Sequence, residues 1–243
     1  MTVNRRTRLG ILAAALAALP LEARTARAHD DLEPAIQSLD GLRHERPFQP
    51  WQVSAGVRSA LFHSAGYDPF SSNDAFTQFS ATATWAFRTA PRLATAVGAS
   101  IDAGSADGEA RGASTSLSLT RVALVVEERF APRPWAYAFL RVAPGWLRGT
   151  ATLDDPSLTA PLETTFSTFG VDGSLGAAAR TTPRGSRVGF WIVGDAGYGW
   201  APAQHFALSP ALPASDRDKA GATSLADFAP RGAFFRLGLA LGF

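Results

Sequence analysis

From about residue 51 to the C-terminus the chain alternates between apolar and polar positions with a period of two, the signature of strands with two unlike faces. In residues 51–62, Trp51, Val53, Ala55, Val57 and Leu61 share one face, and Gln52, Ser54, Gly56 and Arg58 the other. Residues 79–87 set Phe79, Ala81, Ala83, Trp85 and Phe87 against Ser80, Thr82 and Thr84. Residues 93–102 set Leu93, Val97, Ala99 and Ile101 against Gly98, Ser100 and Asp102. Two later segments, 169–179 and 188–200, repeat the pattern, and the chain closes on Phe235, Leu237, Leu239, Leu241 and Phe243 opposite Arg236, Gly238, Ala240 and Gly242.

Two segments change phase. In 116–130, Leu117 and Leu119 fall in one register, and Val122, Leu124 and Val126 in the other, which a β-bulge near Thr120 would reconcile. In 135–147, Trp135, Tyr137 and Phe139 oppose Leu140 and Val142, and Pro144 is expected to bend or end the regular part.

These segments make eight strands. Their connections alternate: short ones at 88–92, 131–134 and 181–186, each with a proline, and long ones at 63–75, 103–113, 149–163 and 201–230. Short turns at one end and long loops at the other are the asymmetry of outer-membrane barrels. The fold class read from the chain is therefore all-β: an eight-stranded antiparallel up-and-down transmembrane β-barrel. Its apolar faces point to lipid and its faces of Gly, Ser, Thr and scattered charges point inward, as bilayer solvation demands. Aromatics cluster at both strand ends, with Trp51, Trp85, Phe87, Trp135, Tyr137, Phe190 and Phe243 at the short-turn end. Phe62, Phe76, Phe79, Trp146, Phe166, Phe169, Tyr198, Trp200 and Phe234 lie toward the long loops, giving two interfacial girdles. Charges on the polar faces fall at comparable depth: Arg58, Asp102, Arg121, Arg141, Asp172, Asp195 and Arg236. Opposite charges at one level of a narrow lumen must pair, so they form the candidate lumenal network, with Arg236 meeting Asp195 or, if the strands are staggered, Asp172 near Arg58.

Residues 1–28 read as a cleavable signal peptide. Arg5, Arg6 and Arg8 precede an apolar run at 9–21, and Ala26-Arg27-Ala28 fits a small-x-small cleavage site with His29 first in the mature chain. Residues 29–50 do not alternate and read as a periplasmic segment, a short helix or tail, with a plug or docking peptide as the sharper alternative. The barrel occupies 51–243.

Composition narrows the chemistry. The whole chain carries +2, and the leader holds five arginines against Glu22, so the remainder is net negative and nucleic-acid binding loses its electrostatic basis. There is no cysteine, which removes disulfides, thiolate metal sites and cysteine nucleophiles. The four histidines are His29, His44, His63 and His205. None forms a recognisable nucleophile–base motif, so no catalytic residue, metal site or cofactor is assigned.

The ending Phe235-x-Leu237-x-Leu239-x-Leu241-x-Phe243 resembles the C-terminal assembly signal of outer-membrane barrels. Strand number, loop asymmetry and the terminal Phe together resemble small OmpA/OmpX-type barrels over 51–243. The resemblance implies a Gram-negative outer membrane, contact with its lipid, and insertion by the barrel-assembly machinery, here as a monomer. The expected role is non-enzymatic, structural or surface-binding through the long extracellular loops. A narrow pore for small solutes and a lipid-modifying enzyme are the alternatives.

Overall fold

The computed structural model describes residues 48–243 except 72, 111, 158–159, 184–185, 187 and 211–222. The leader 1–28, the cleavage site before His29 and most of the 29–50 segment lie outside the described residues.

Among the described residues ten strands form: β1 (Trp51–Leu61), β2 (Ala75–Ala90), β3 (Leu93–Ala110), β4 (Ala113–Arg133), β5 (Ala136–Asp154), β6 (Leu162–Arg180), β7 (Gly189–Trp200), β8 (Gln204–Pro210), β9 (Thr223–Phe228) and β10 (Gly232–Gly242). Eight of them make a closed antiparallel ring, β1 to β7 in order and then β10, which pairs back onto β1 from Gln52↔Gly242 to Ala60↔Phe234. Two backbone bonds of 3.0 Å between Trp51 and Phe243, one in each direction, finish that seam. The remaining hairpin, β8–β9, is inserted between β7 and β10 and joins the edge of β6 at Leu162↔Pro210 and Glu163↔Ser209.

The strands are unequal. β1, β7 and β10 have 11, 12 and 11 residues, close to the roughly 9–11 that cross a bilayer. β3 to β6 have 18, 21, 19 and 19 and continue well past the apolar belt. Their outward faces change chemistry along a single line. On β4, outward Val126, Leu124 and Val122 give way to Thr120 and Ser118. Val122 pairs with Trp146 and Trp146 with Phe169, whereas one step further Thr120 pairs with Arg148 and Arg148 with Ser167. The inward face inverts at the same height, from Arg121 to the buried Leu119 and Leu117. Below the line the barrel is apolar outside and polar inside; above it, polar outside and apolar inside.

That inversion explains the phase changes in the sequence. The bulge expected near Thr120 is absent: β3–β4 pairing runs without interruption from Leu93↔Phe130 to Ala110↔Ala113. The parity of β4 is constant; the solvent around it changes. Segment 103–113, expected as a long loop, is largely strand: β3 and β4 stay paired out to Ala110↔Ala113, and Gly112 takes φ +83°, a region side chains disfavour. Connection 149–163 likewise shrinks to 155–161, and 201–230 contains β8–β9. Runs of Ser, Thr and Asp looked like loop because they are the water-facing residues of strands that have left the apolar belt, while Gly104, Gly108 and Gly149 among them face inward, where a Cβ would meet packed neighbours.

Pro144 does not end β5. The ladder lacks partners between Ala123↔Gly145 and Val126↔Val142, but the register is the same on both sides. There the Arg121 guanidinium donates to the Ala143 carbonyl. Gly56 and Gly238 face each other across the seam, and a Cβ on Gly238 would lie 2.6 Å from the Ala55 carbonyl oxygen. A serine at 238, which reads as a mild lumenal change from alternation alone, would have to push backbone apart.

Candidate functional site

The described part of the lumen is organised around one chain of charges. Glu127 of β4 pairs with Arg129 at 2.7 Å and with Arg141 of β5 at 2.6 Å. Arg141 reaches Asp195 of β7 at 3.6 Å, and Asp195 meets Arg236 of β10 at 3.6 Å. Arg236 lies 3.8 Å from Asp102 of β3, which pairs with Arg121 of β4 at 3.2 Å. Arg121 is 3.1 Å from Asp172 of β6, and Asp172 is 3.2 Å from Arg58 of β1. Signs alternate strictly along nine side chains, and the chain begins and ends on arginine. In so narrow a lumen this is how charges taken out of water stay compensated.

Both ends of the lumen are stoppered by apolar side chains. At the short-turn end, Tyr137, Phe139 and Trp191 cluster with Phe48, which packs edge-on against Tyr137 at 6.0 Å. Tyr137 donates to Gln52 at 2.8 Å and Trp191 to Gln49 at 3.1 Å, so residues preceding β1 are tied into this mouth. The Arg129 guanidinium lies 5.2 Å from the centre of the Tyr137 ring and donates to Thr84 at 2.8 Å, which joins this stopper to the charge chain. At the other end, Phe62, Tyr67, Phe70, Phe76, Phe206 and Phe228 form part of a buried cluster. The connection after β1 supplies a 3-10 turn at Asp68–Phe70, where the Pro69 carbonyl accepts from Thr115 at 2.5 Å. Ser64 donates to the Asp227 carbonyl at 2.9 Å and accepts from Ala229 N–H at 3.1 Å, fastening that connection to the end of β9. Burial pushes the Tyr67 phenol up, partly offset by its bond with Ser71, and its hydroxyl donates to the Ala75 carbonyl at 3.0 Å.

All seven sequence-assigned charges, Arg58, Asp102, Arg121, Arg141, Asp172, Asp195 and Arg236, lie in the chain just described. Arg236 contacts Asp195 and Asp102; Asp172 is held instead by Arg58 and Arg121. Glu127 and Arg129 were missed, although both share the odd-numbered parity of Arg121 and could have been found by continuing it. The aromatic assignments need correction. Tyr137 points into the lumen, and Phe62, Phe76, Phe166 and Phe234 turn inward to the upper cluster rather than joining a girdle. Trp51, Trp85, Phe87, Trp135, Phe190 and Phe243 remain outward at one end, and Phe79, Trp146, Phe169, Tyr198 and Trp200 at the other.

The C-terminal residues Phe235, Leu237, Leu239, Leu241 and Phe243 all point outward. Because Phe243 makes both closing bonds with Trp51, its removal strikes the seam as well as the outward row. Deleting Phe243, or Phe243→Asp, is expected to leave periplasmic aggregate or fragments in place of folded barrel. Wild-type levels of heat-modifiable protein from the deletion would contradict this.

The two histidines among the described residues face carboxylates at exposed positions: His63 with Asp74 at 3.3 Å in the connection between β1 and β2, and His205 with Asp227 at 2.8 Å across the β8–β9 hairpin. Among the described residues no three His, Cys, Asp or Glu side chains cluster as a metal site.

No family model matches this chain, and no curated protein matches it. Among solved structures, it is similar to Ail, the attachment invasion locus protein of Yersinia pestis, in complex with the heparin analogue sucrose octasulfate: 12% identity, TM-score 0.45, covering 81% of this chain and 99% of that one. It is also similar to Neisserial surface protein A, with 15% identity and TM-score 0.42 over 80% of this chain and 97% of that one. A major outer membrane protein from Thermus thermophilus matches at 14% identity and TM-score 0.44, over 79% of this chain and 99% of that one.

Proposed function

We propose that the chain is a monomeric outer-membrane barrel of a Gram-negative bacterium, non-enzymatic, acting in a structural or surface-binding role through the projecting part of β3 to β6 and the β8–β9 hairpin. The observation that carries this reading is the inversion line. A ring of outward Val, Leu, Ile, Phe and Trp far exceeds the apolar patches that water-soluble monomers leave open. It ends at one height, where the same strands become Ser- and Thr-faced outside and apolar inside. A boundary of that kind follows the edge of a bilayer.

The projection carries that role because it is ordered rather than loose: four long paired strands and an apolar interior. The continuous ion-pair chain between two apolar stoppers weighs against a narrow solute pore. The barrel should therefore fractionate with the outer membrane, migrate as a heat-modifiable band, and show no stable single-channel steps in planar bilayers. Recovery in the soluble fraction without detergent would sink the membrane reading. Reproducible unit conductance would restore the pore.

A further inference from the structure

The lumenal chain holds five guanidiniums and four carboxylates, one positive charge in excess; eight of the nine residues are buried, and Arg236, with its side chain 10% exposed, is only partly so. A buried charge without a counter-charge is strongly unfavourable. The two ends of the chain are not equivalent. At one end Arg129 donates to Glu127 and Thr84. At the other end Arg58 donates to Gln78 and Asp172 and lies 4.5 Å from the centre of the Phe234 ring, while its Nε has no partner. Arg58 is also 5% exposed, so water outside the barrel does not solvate it.

A cavity of about 30 Å³ lies beside this end, with Arg58, Arg121, Gln78 and Asp172 in its wall and Leu119 and Leu147 among its apolar lining. It is large enough for about two waters. Two guanidiniums against one carboxylate leave the wall net positive. The Gln78 carbonyl oxygen is engaged by Arg58, which leaves its amide N–H₂ as the end able to donate. The cavity also borders Gly170 and Trp200, where β7 stops opposite Val171 while β6 continues to Leu162.

We propose that this cavity binds one small monovalent anion of halide size, which neutralises the excess lumenal charge. The Asp172 carboxylate in the wall disfavours multivalent anions. Nothing in this depends on what the projection binds.

The experiment uses the intact barrel purified in detergent. Its thermal unfolding midpoint is measured in sodium chloride and in sodium gluconate at matched ionic strength, and bromide-grown crystals are examined for anomalous scattering. Chloride should raise the midpoint by about 5–10 °C at a hundredfold excess over its Kd, with saturation. Bromide should appear in the cavity beside the Arg58 guanidinium, and Arg58→Gln should abolish the chloride dependence. If Arg58→Gln does not fold, Gln78→Leu, which leaves every charge in place, should weaken the dependence. Equal midpoints in the two salts, a bromide-free cavity, or chloride dependence unchanged in the variant that folds would each overturn the proposal.

Discussion

Glu127→Ala is expected to cost the folded barrel about 3–5 kcal/mol, the penalty for removing one partner from a buried ion pair. Glu127 is 1% exposed and accepts from two arginines, Arg129 and Arg141, at 2.6–2.8 Å. Its removal leaves two like charges facing each other in a space that solvent does not reach. The loss should appear in denaturant unfolding in detergent or vesicles, followed by tryptophan fluorescence. Glu127→Ala with Arg141→Ala should recover part of it, because one of the two stranded cations is gone. A double-mutant cycle gives the coupling directly. Additive losses, or a single-variant loss within the range of surface substitutions, would mean that these groups are solvated and the lumen is wet.

Leu239→Arg tests the opposite face. Leu239 is 68% exposed and lies between Ala55 and Ile192 in the middle of the outward belt. In lipid, an arginine near the bilayer midplane costs about 2–4 kcal/mol. On a water-soluble surface, the same exchange of an exposed leucine for arginine would be close to neutral. Refolding into vesicles should therefore show a marked loss for Leu239→Arg and little for Thr82→Ser, a small change on the lumenal face. Comparable behaviour of the two would place the apolar belt in water. Gly238→Ser is not a suitable control, because its Cβ meets the Ala55 backbone.

Much of the barrel was legible in the chain. Alternation along a strand is local, since successive side chains point to opposite faces whatever the rest of the molecule does. The eight strands of the ring, their antiparallel order and the outward rows on β1, β2, β7 and β10 follow from it. Alternation misled where the surroundings of a strand change along its length. Leu117 and Leu119 are inward and Val122, Leu124 and Val126 outward on one unbroken β4, and only the position of the solvent boundary makes both sensible. The same boundary turned Phe62, Phe76 and Phe234 from expected girdle residues into members of a buried cluster, with half-buried Phe166 packed against it.

The amino-acid sequence by itself determined the eight strands of the ring, the parity of their side chains and the abundance of charge on the inward faces, all properties of single strands; the β8–β9 hairpin it read as loop. Only the tertiary structure decided which charges meet. Strands in a barrel are tilted and staggered, so equal distances from a strand end do not mean equal height. Asp172 therefore belongs to Arg58 and Arg121, and Arg236 stands between Asp195 and Asp102. The stoppers are likewise tertiary: Phe48 precedes the first strand, and Phe206 and Phe228 belong to a hairpin inserted before the last. They close the two mouths because ring closure brings distant segments over the ends of one lumen, where burying an aromatic ring removes apolar area from water.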